Sequence, residues 1–259
     1  MFWLAAALDR GQLKPMAEPR LMIEQRLQRG AELELDEAQT RHLGTVLRLD
    51  AGDLLRVFNA DDGEWRARVL QRSKRAMSVC VEEFLRPARA APDLELLFAP
   101  VKRHATDLIV EKATELGARR LTPVLTQRTI AETVRADRLM AIAREAAEQT
   151  ERFDLPELAA TISLPKALDG WDLARPLIYA DEAGAGVPIA EAGRSLERGA
   201  GVSVLIGPEG GFTEAERAML RALTFVKPVS LGPRILRAET AVIAALSMIQ
   251  AHWGDWREG

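Results

Sequence analysis

The sequence predicts an α/β protein in two parts, a small β-barrel followed by a mostly parallel sheet with helices on both faces. Three observations carry this expectation. Apolar residues alternate with period two between residues 20 and 85, and from residue 93 onward short apolar runs alternate with stretches of helical period. Between them RPARAAPD, residues 86–93, shows no period and marks a boundary. Strand and helix in alternation imply a parallel sheet covered on both faces.

In the first part AELEL, DLLRVFN, EWRARVLQ and AMSVCVEEF read as strands, with Asp61-Asp62-Gly63 as a turn between two of them. One helix begins at Asp36, where Gln39 completes a capping-box pattern and Leu43, Val46 and Leu47 make the apolar face. In the second part DLELLFAPV is a strand, and Ala105, Leu108, Ile109 and Leu116 lie on a helix that Gly117 ends. Strand RLTPVL, a helix around Leu139, Ile142 and Ala146, strands PLIYA and VSVLI, a helix from Thr213, strand VKPVS and a last helix from Arg237 follow. The domains therefore span 20–86 and 93–252. Residues 1–19 lie outside them as a loose extension, broken by Pro15 and Pro19, with Met16 as an alternative start.

With 47% hydrophobic and 28% charged residues in 259, the chain can bury one large or two modest cores, which excludes disorder of the whole. The single cysteine, Cys80, excludes an internal disulfide framework, and His42, His104 and His252 lack metal-ligand spacing, so no metal is expected. The opening MFWLAAALDR is too short to span a bilayer and has no basic lead, so the expectation is a soluble cytoplasmic protein without a membrane partner. A net charge of −3 excludes binding to nucleic acid by bulk electrostatics, and any RNA contact must be local.

The segment VSVLIGPEGGFTEAE is an apolar strand, a glycine-rich turn and a helix start, with Thr213 and Glu216 as a capping box. Open α/β sheets bind ligands at the carboxyl ends of their strands. The turn matches neither G-x-G-x-x-G nor the Walker loop, and Glu209 disfavours a phosphate and favours a cationic or hydroxyl-bearing ligand. A plain strand-to-helix connection would use the same glycines. VKPVS then leads into LGPRILRAETA, whose Leu231, Ile235 and Leu236 can meet a flat ring, so adjacent loops would wall one pocket. Arg237 and Glu239 at the next helix start could also be no more than a surface pair.

LIGPEGGFTEAE and LGPRILRAETAV resemble the paired knot motifs of the uridine-N3 ribosomal RNA methyltransferases in the SPOUT, or α/β-knot, superfamily. EKATELGARRLTPVLTQRT, REAAEQTERFDLPEL and HLGTVLRLDAGD resemble that family in the same order, the last in its PUA-like N-terminal barrel, so the likeness covers residues 20–252. It implies a deep trefoil knot holding S-adenosylmethionine, a homodimer, and ribosomal RNA or the small ribosomal subunit as partner. Periodicity does not give a knot, and topology rules weigh against one. The donor would meet Leu205, Ile206, Gly207, Pro208, Glu209, Gly210, Gly211, Leu231, Gly232, Ile235 and Leu236. Glu209 and Glu239 are then candidate bases for the N3 proton, or ligand-holding groups, and Arg237 a candidate stabiliser of the uridine anion.

Arg66, Arg68, Arg72, Lys74 and Arg75 form a stretch without acids that could offer cations to phosphates or simply be solvated. Arg41, His42, Arg48, Lys102, Arg103, Arg128 and Arg152 are further RNA candidates. Three other readings are a non-catalytic RNA-binding protein that dimerises through its α/β part, a nucleotide-dependent oxidoreductase, and a SPOUT methyltransferase acting on another RNA. The dinucleotide fingerprint that the second requires is absent.

Overall fold

The period-two stretch EWRARVLQ lies in β4 (Gly63–Arg72), whose alternate residues Ala67 and Val69 are buried, and which pairs antiparallel with β3 (Leu54–Asn59) and β5 (Met77–Arg86). The computed structural model describes residues 18–73, 75–130, 134–183, 186–197 and 200–257. Nearly all of the 1–19 extension, with Met16, and also Lys74 fall outside them. The chain divides into two units, the first ending at Ala88 and the second beginning at Arg89.

In the first unit β1 (Arg20–Met22) and β2 (Glu32–Glu34) complete a five-stranded sheet of order β1-β3-β4-β5-β2. Register shifts between β4 and β5 fall after Glu64, Arg66 and Val69. Such bulges sharpen the local twist that curls a sheet around its core. That core includes Leu21, Leu43, Leu55, Val57, Val79 and Val81. Helix α1 (Glu37–Arg41) starts in a capping box between Asp36 and Gln39 and continues as a π turn over His42–Val46, with Leu47 N–H bonded to His42 O at 3.1 Å. The extra residue in that turn rotates Val46 off the apolar face. Leu43 is fully buried but Val46 is 66% exposed, contrary to the helical spacing.

The second unit contains β6 (Leu94–Phe98), α2 (Arg103–Glu115), β7 (Arg120–Leu125), α3 (Ala136–Gln149), β8 (Glu157–Leu158), β9 (Ile162–Ser163) and α4 (Leu164–Leu168). β10 (Leu177–Ala180), β11 (Val187–Pro188), α5 (Ile189–Arg194), β12 (Val202–Ile206), α6 (Glu214–Ala222), β13 (Val226–Ser230) and α7 (Ala238–His252) follow. The sheet order is β11-β13-β10-β12-β6-β7-β8, with β9 also on β7, and the pairings are parallel. Alternation along β12 sends Val204 and Ile206 into one core with Ile109, Val242 and Leu246, and Leu205 into another with Tyr179, Phe212 and Leu220.

Two polar contacts fix the end of α2. Arg152 donates to Thr114 O and Ala118 O at 2.9 and 2.8 Å, and Gln250 of α7 donates to Leu116 O at 2.6 Å. The bond to Leu116 O satisfies a carbonyl just past the last helical turn, and Thr114 O also accepts from Gly117 N at 3.1 Å. Among the described residues no helix is long and apolar enough to cross a membrane.

Candidate active site

Three loops at the carboxyl ends of β10, β12 and β13 enclose a cleft of about 260 Å³. Sequence reasoning paired the β12 and β13 loops as neighbours, but β10 lies between those strands. Strand order depends on crossovers, which local pattern does not encode. The inserted strand adds a third wall, Asp181–Ala183.

That third wall is tethered to α6. Asp181 is buried, accepts from Arg221 Nη2 at 2.5 Å, from Ala183 N at 3.0 Å and from the Tyr179 hydroxyl at 3.3 Å. Burial first, and then the charges of Glu182 and Asp181, push the Tyr179 phenol above its ordinary range, so it stays a neutral donor. Glu182 accepts from Phe212 N at 2.9 Å and from Arg217 at 3.3 Å. Helix α6 begins in a capping box between Thr213 and Glu216, and Glu216 also accepts from Gln127 N at 2.8 Å. Arg128 donates to Gly210 O at 2.7 Å, so the loop after β7 holds the glycine-rich turn from outside.

Ile206, Gly207, Pro208, Glu209, Gly211, Leu231, Gly232, Ile235 and Leu236 line the cleft. Leu205 and Gly210, also expected there, do not: the Leu205 side chain enters the opposite core and Gly210 sits against Arg128. Asp181 and Glu182 carried no motif and were missed. Glu209 is exposed on the cleft wall. Arg237 is the exposed N-cap residue of α7 and Glu239 lies in its first turn, and neither lines the cleft.

The expected RNA contacts divide sharply. Arg66 pairs with Glu18 at 3.0 Å and with Glu83, Arg68 holds Glu82 at 2.6 and 3.0 Å, and Arg72 holds Asp50 at 2.6 Å besides two backbone carbonyls. These three arginines of the basic stretch are thus paired with carboxylates. The hydrogen bond from Arg68 holds the Glu82 carboxyl below its ordinary range, so the pair persists at neutral pH. Arg152, 8% exposed at its side chain, pairs with Asp154 and closes α2, which is a structural role rather than an RNA contact. Arg128 holds the glycine turn. Arg41 is exposed and pairs with Glu37 at 3.1 Å, while His42, Arg48, Lys102 and Arg103 are exposed.

The family model of the RNA methyltransferase domain matches residues 89–250, and that of the RNA methyltransferase PUA domain matches residues 35–79. Ribosomal RNA small subunit methyltransferase E of Rickettsia conorii is 33% identical over 233 residues, spanning 89% of this chain and 94% of that one. The crystal structure of ribosomal RNA small subunit methyltransferase E from Neisseria gonorrhoeae bound to S-adenosyl methionine is 27% identical with a TM-score of 0.81, over 93% of this chain and 100% of that one. A Legionella pneumophila protein solved as a methyltransferase in complex with SAM is 30% identical with a TM-score of 0.82 over the same shares. With one model matching more than half its length and a relative matching nearly all of it, the chain belongs to the RNA methyltransferase domain family that includes ribosomal RNA small subunit methyltransferase E.

Proposed function

We propose that this protein transfers a methyl group from S-adenosylmethionine to N3 of a uridine in small-subunit ribosomal RNA, acting in the cytoplasm as a homodimer whose C-terminal domain is knotted. The observation that carries the reading is the three-walled cleft at the strand ends. Its residues fit the donor. Glu182 and Glu209 suit a ligand bearing sulfonium and amino cations, while Leu231, Ile235 and Leu236 suit a flat apolar ring. At Gly232, φ is +106° and an added Cβ would meet nothing within 4 Å, so backbone is bared toward the cleft where only glycine adopts the conformation without strain.

When bound, S-adenosylmethionine supplies an electrophilic methyl carbon. The chain's own residues then have two tasks, to orient the uridine edge and to manage the N3 proton. Glu209 on the cleft wall is the better placed of the two candidate carboxylates to receive that proton or hold a ligand cation. Arg237, exposed at the start of α7, supplies the positive charge that stabilises the anion spread over N3, O2 and O4. The homodimer reading draws support from α7, on which Ile243, Ala244 and Met248 stay only half-buried beside a buried apolar face.

The test is mass mapping of methylated nucleosides in ribosomal RNA after incubation with protein and isotope-labelled donor. A label on uridine N3 is expected. A label on another atom, or none at all, overturns the assignment.

A further inference from the structure

The carboxyl end of β6 opens a second cleft, of about 270 Å³. β6 is the sheet neighbour of β12, and Ala99 N donates to Ile206 O at 3.0 Å, so this cleft begins one strand away from the donor loop. Lys102 and Arg103 from the start of α2 and Arg135 and Arg138 from the start of α3 line it, with Asp107 as the carboxylate among the lining residues.

This placement of charge runs against helix physics. A helix N-terminus carries partial positive charge from its unpaired N–H groups, so acids stabilise it and cations oppose it. Neither helix has a side-chain cap, at Lys102 or at Arg135, and α2 has no acidic residue in its first turn. In α3 the first-turn acid is Asp137, exposed and outside the cleft lining. Arg138 pairs through Nη2 with Asp107, yet its Nη1, turned from solvent, has no hydrogen-bond partner. That nitrogen can donate to one further acceptor. Two uncapped helix starts, four cations and one unpartnered guanidinium nitrogen thus converge on a single cavity beside the reaction cleft.

We propose that this cleft seats a backbone phosphodiester of the RNA strand whose nucleotide enters the donor cleft. Guanidinium groups and helix N-termini both recognise phosphate oxygens, and an anion here turns each unfavourable charge into a favourable one. The inference rests on the proposed function for its choice of RNA over a free anion. It also assigns the local RNA contact to the second unit, whereas the arginines of β4 are held by carboxylates.

The test uses full-length protein with Lys102→Gln, Arg103→Gln and Arg135→Gln together, and Arg135→Gln alone. These side chains are exposed, so the fold tolerates their loss. The probe is a short labelled uridine-containing RNA, prepared with phosphodiester and with methylphosphonate linkages and titrated by anisotropy across a salt series. The triple variant should bind phosphodiester RNA roughly 10-fold more weakly or worse, and the slope of log affinity against log salt should shrink by about 0.7 for each phosphate that is no longer neutralised. Affinity for S-adenosylmethionine should stay constant, and thermal stability should hold or rise as cations leave the helix starts. Unchanged affinity and slope overturn the proposal, as does an equal loss for the methylphosphonate RNA. Competition by inorganic phosphate in the wild type, with RNA binding untouched by the substitutions, would make this a free-anion site and overturn it too. Because the readout is binding, a wild-type protein that methylated no ribosomal RNA would remove the proposed function and leave this result standing.

Discussion

Gly207 shows how a residue expected to touch only ligand is also fixed by packing. A Cβ there would stand 2.5 Å from Phe212 Cε2, and Phe212 is fully buried. Gly207→Val should therefore overpack the core by roughly 1–3 kcal/mol as well as block the donor. Calorimetry beside thermal unfolding should show both losses, and a weak-binding variant of unchanged stability would restore a ligand-only role. Arg237 is the opposite case, exposed and free of any packing duty that sequence could have suggested. Arg237→Ala should lower the single-turnover methylation rate by roughly 100-fold, in line with removal of one preorganised electrostatic interaction, with donor affinity and melting temperature unmoved. A normal rate per folded molecule would sink its assignment. Legibility at this scale was uneven. The glycine-rich motif exposed one wall of the cleft, whereas Arg66, Arg68 and Arg72 looked free because their partners Glu83, Glu82 and Asp50 are distant in sequence.

At the scale of elements, period and capping were readable because they are local. The boxes at Asp36 and Thr213 formed as their spacing required, and Gly117 follows α2 at φ +78°. Order within the sheet was not readable, since nothing in VSVLI or VKPVS states that β10 separates them. The consequence falls on α6, which ties the unforeseen third wall through Arg217 and Arg221. Arg221→Ala should leave the buried Asp181 carboxylate short of its strongest partner, at roughly 1–3 kcal/mol, and loosen the loop that lines the cleft. Weaker donor binding should accompany the lower melting temperature, with Arg221→Lys recovering part of both. If Arg221→Ala binds the donor as the wild type does, the tether does not shape the cleft.

At the scale of the whole chain, the cores of the two units share no residue, and the first unit has a polar anchor of its own, so their stabilities should be separable. That anchor is Glu64, 1% exposed, which accepts from Arg20 at 2.6 Å and Arg86 at 2.5 Å, with the Arg20 guanidinium 3.4 Å from the Phe58 ring centre. Burial by itself would raise the Glu64 carboxyl, but the hydrogen bonds from Arg86 and Arg20 outweigh it and hold the group below the ordinary carboxylate range. A carboxyl depressed in the folded state stabilises fully above its unfolded value and loses that contribution as pH falls through the folded value. The first unit should therefore weaken with acid. Glu64→Gln should flatten that dependence and lower the stability of the unit by about 3–5 kcal/mol, because two guanidinium groups lose their shared charge. S-adenosylmethionine should act on the other unit alone, adding about 2.7 kcal/mol at a hundredfold excess over its dissociation constant. Scanning calorimetry of the full chain should then resolve two transitions in Glu64→Gln, the lower one indifferent to donor and the upper one raised by it. A single transition that moves with both the substitution and the donor would mean that the two cores unfold as one, and that the boundary near Ala88 divides the contacts without dividing the cooperativity.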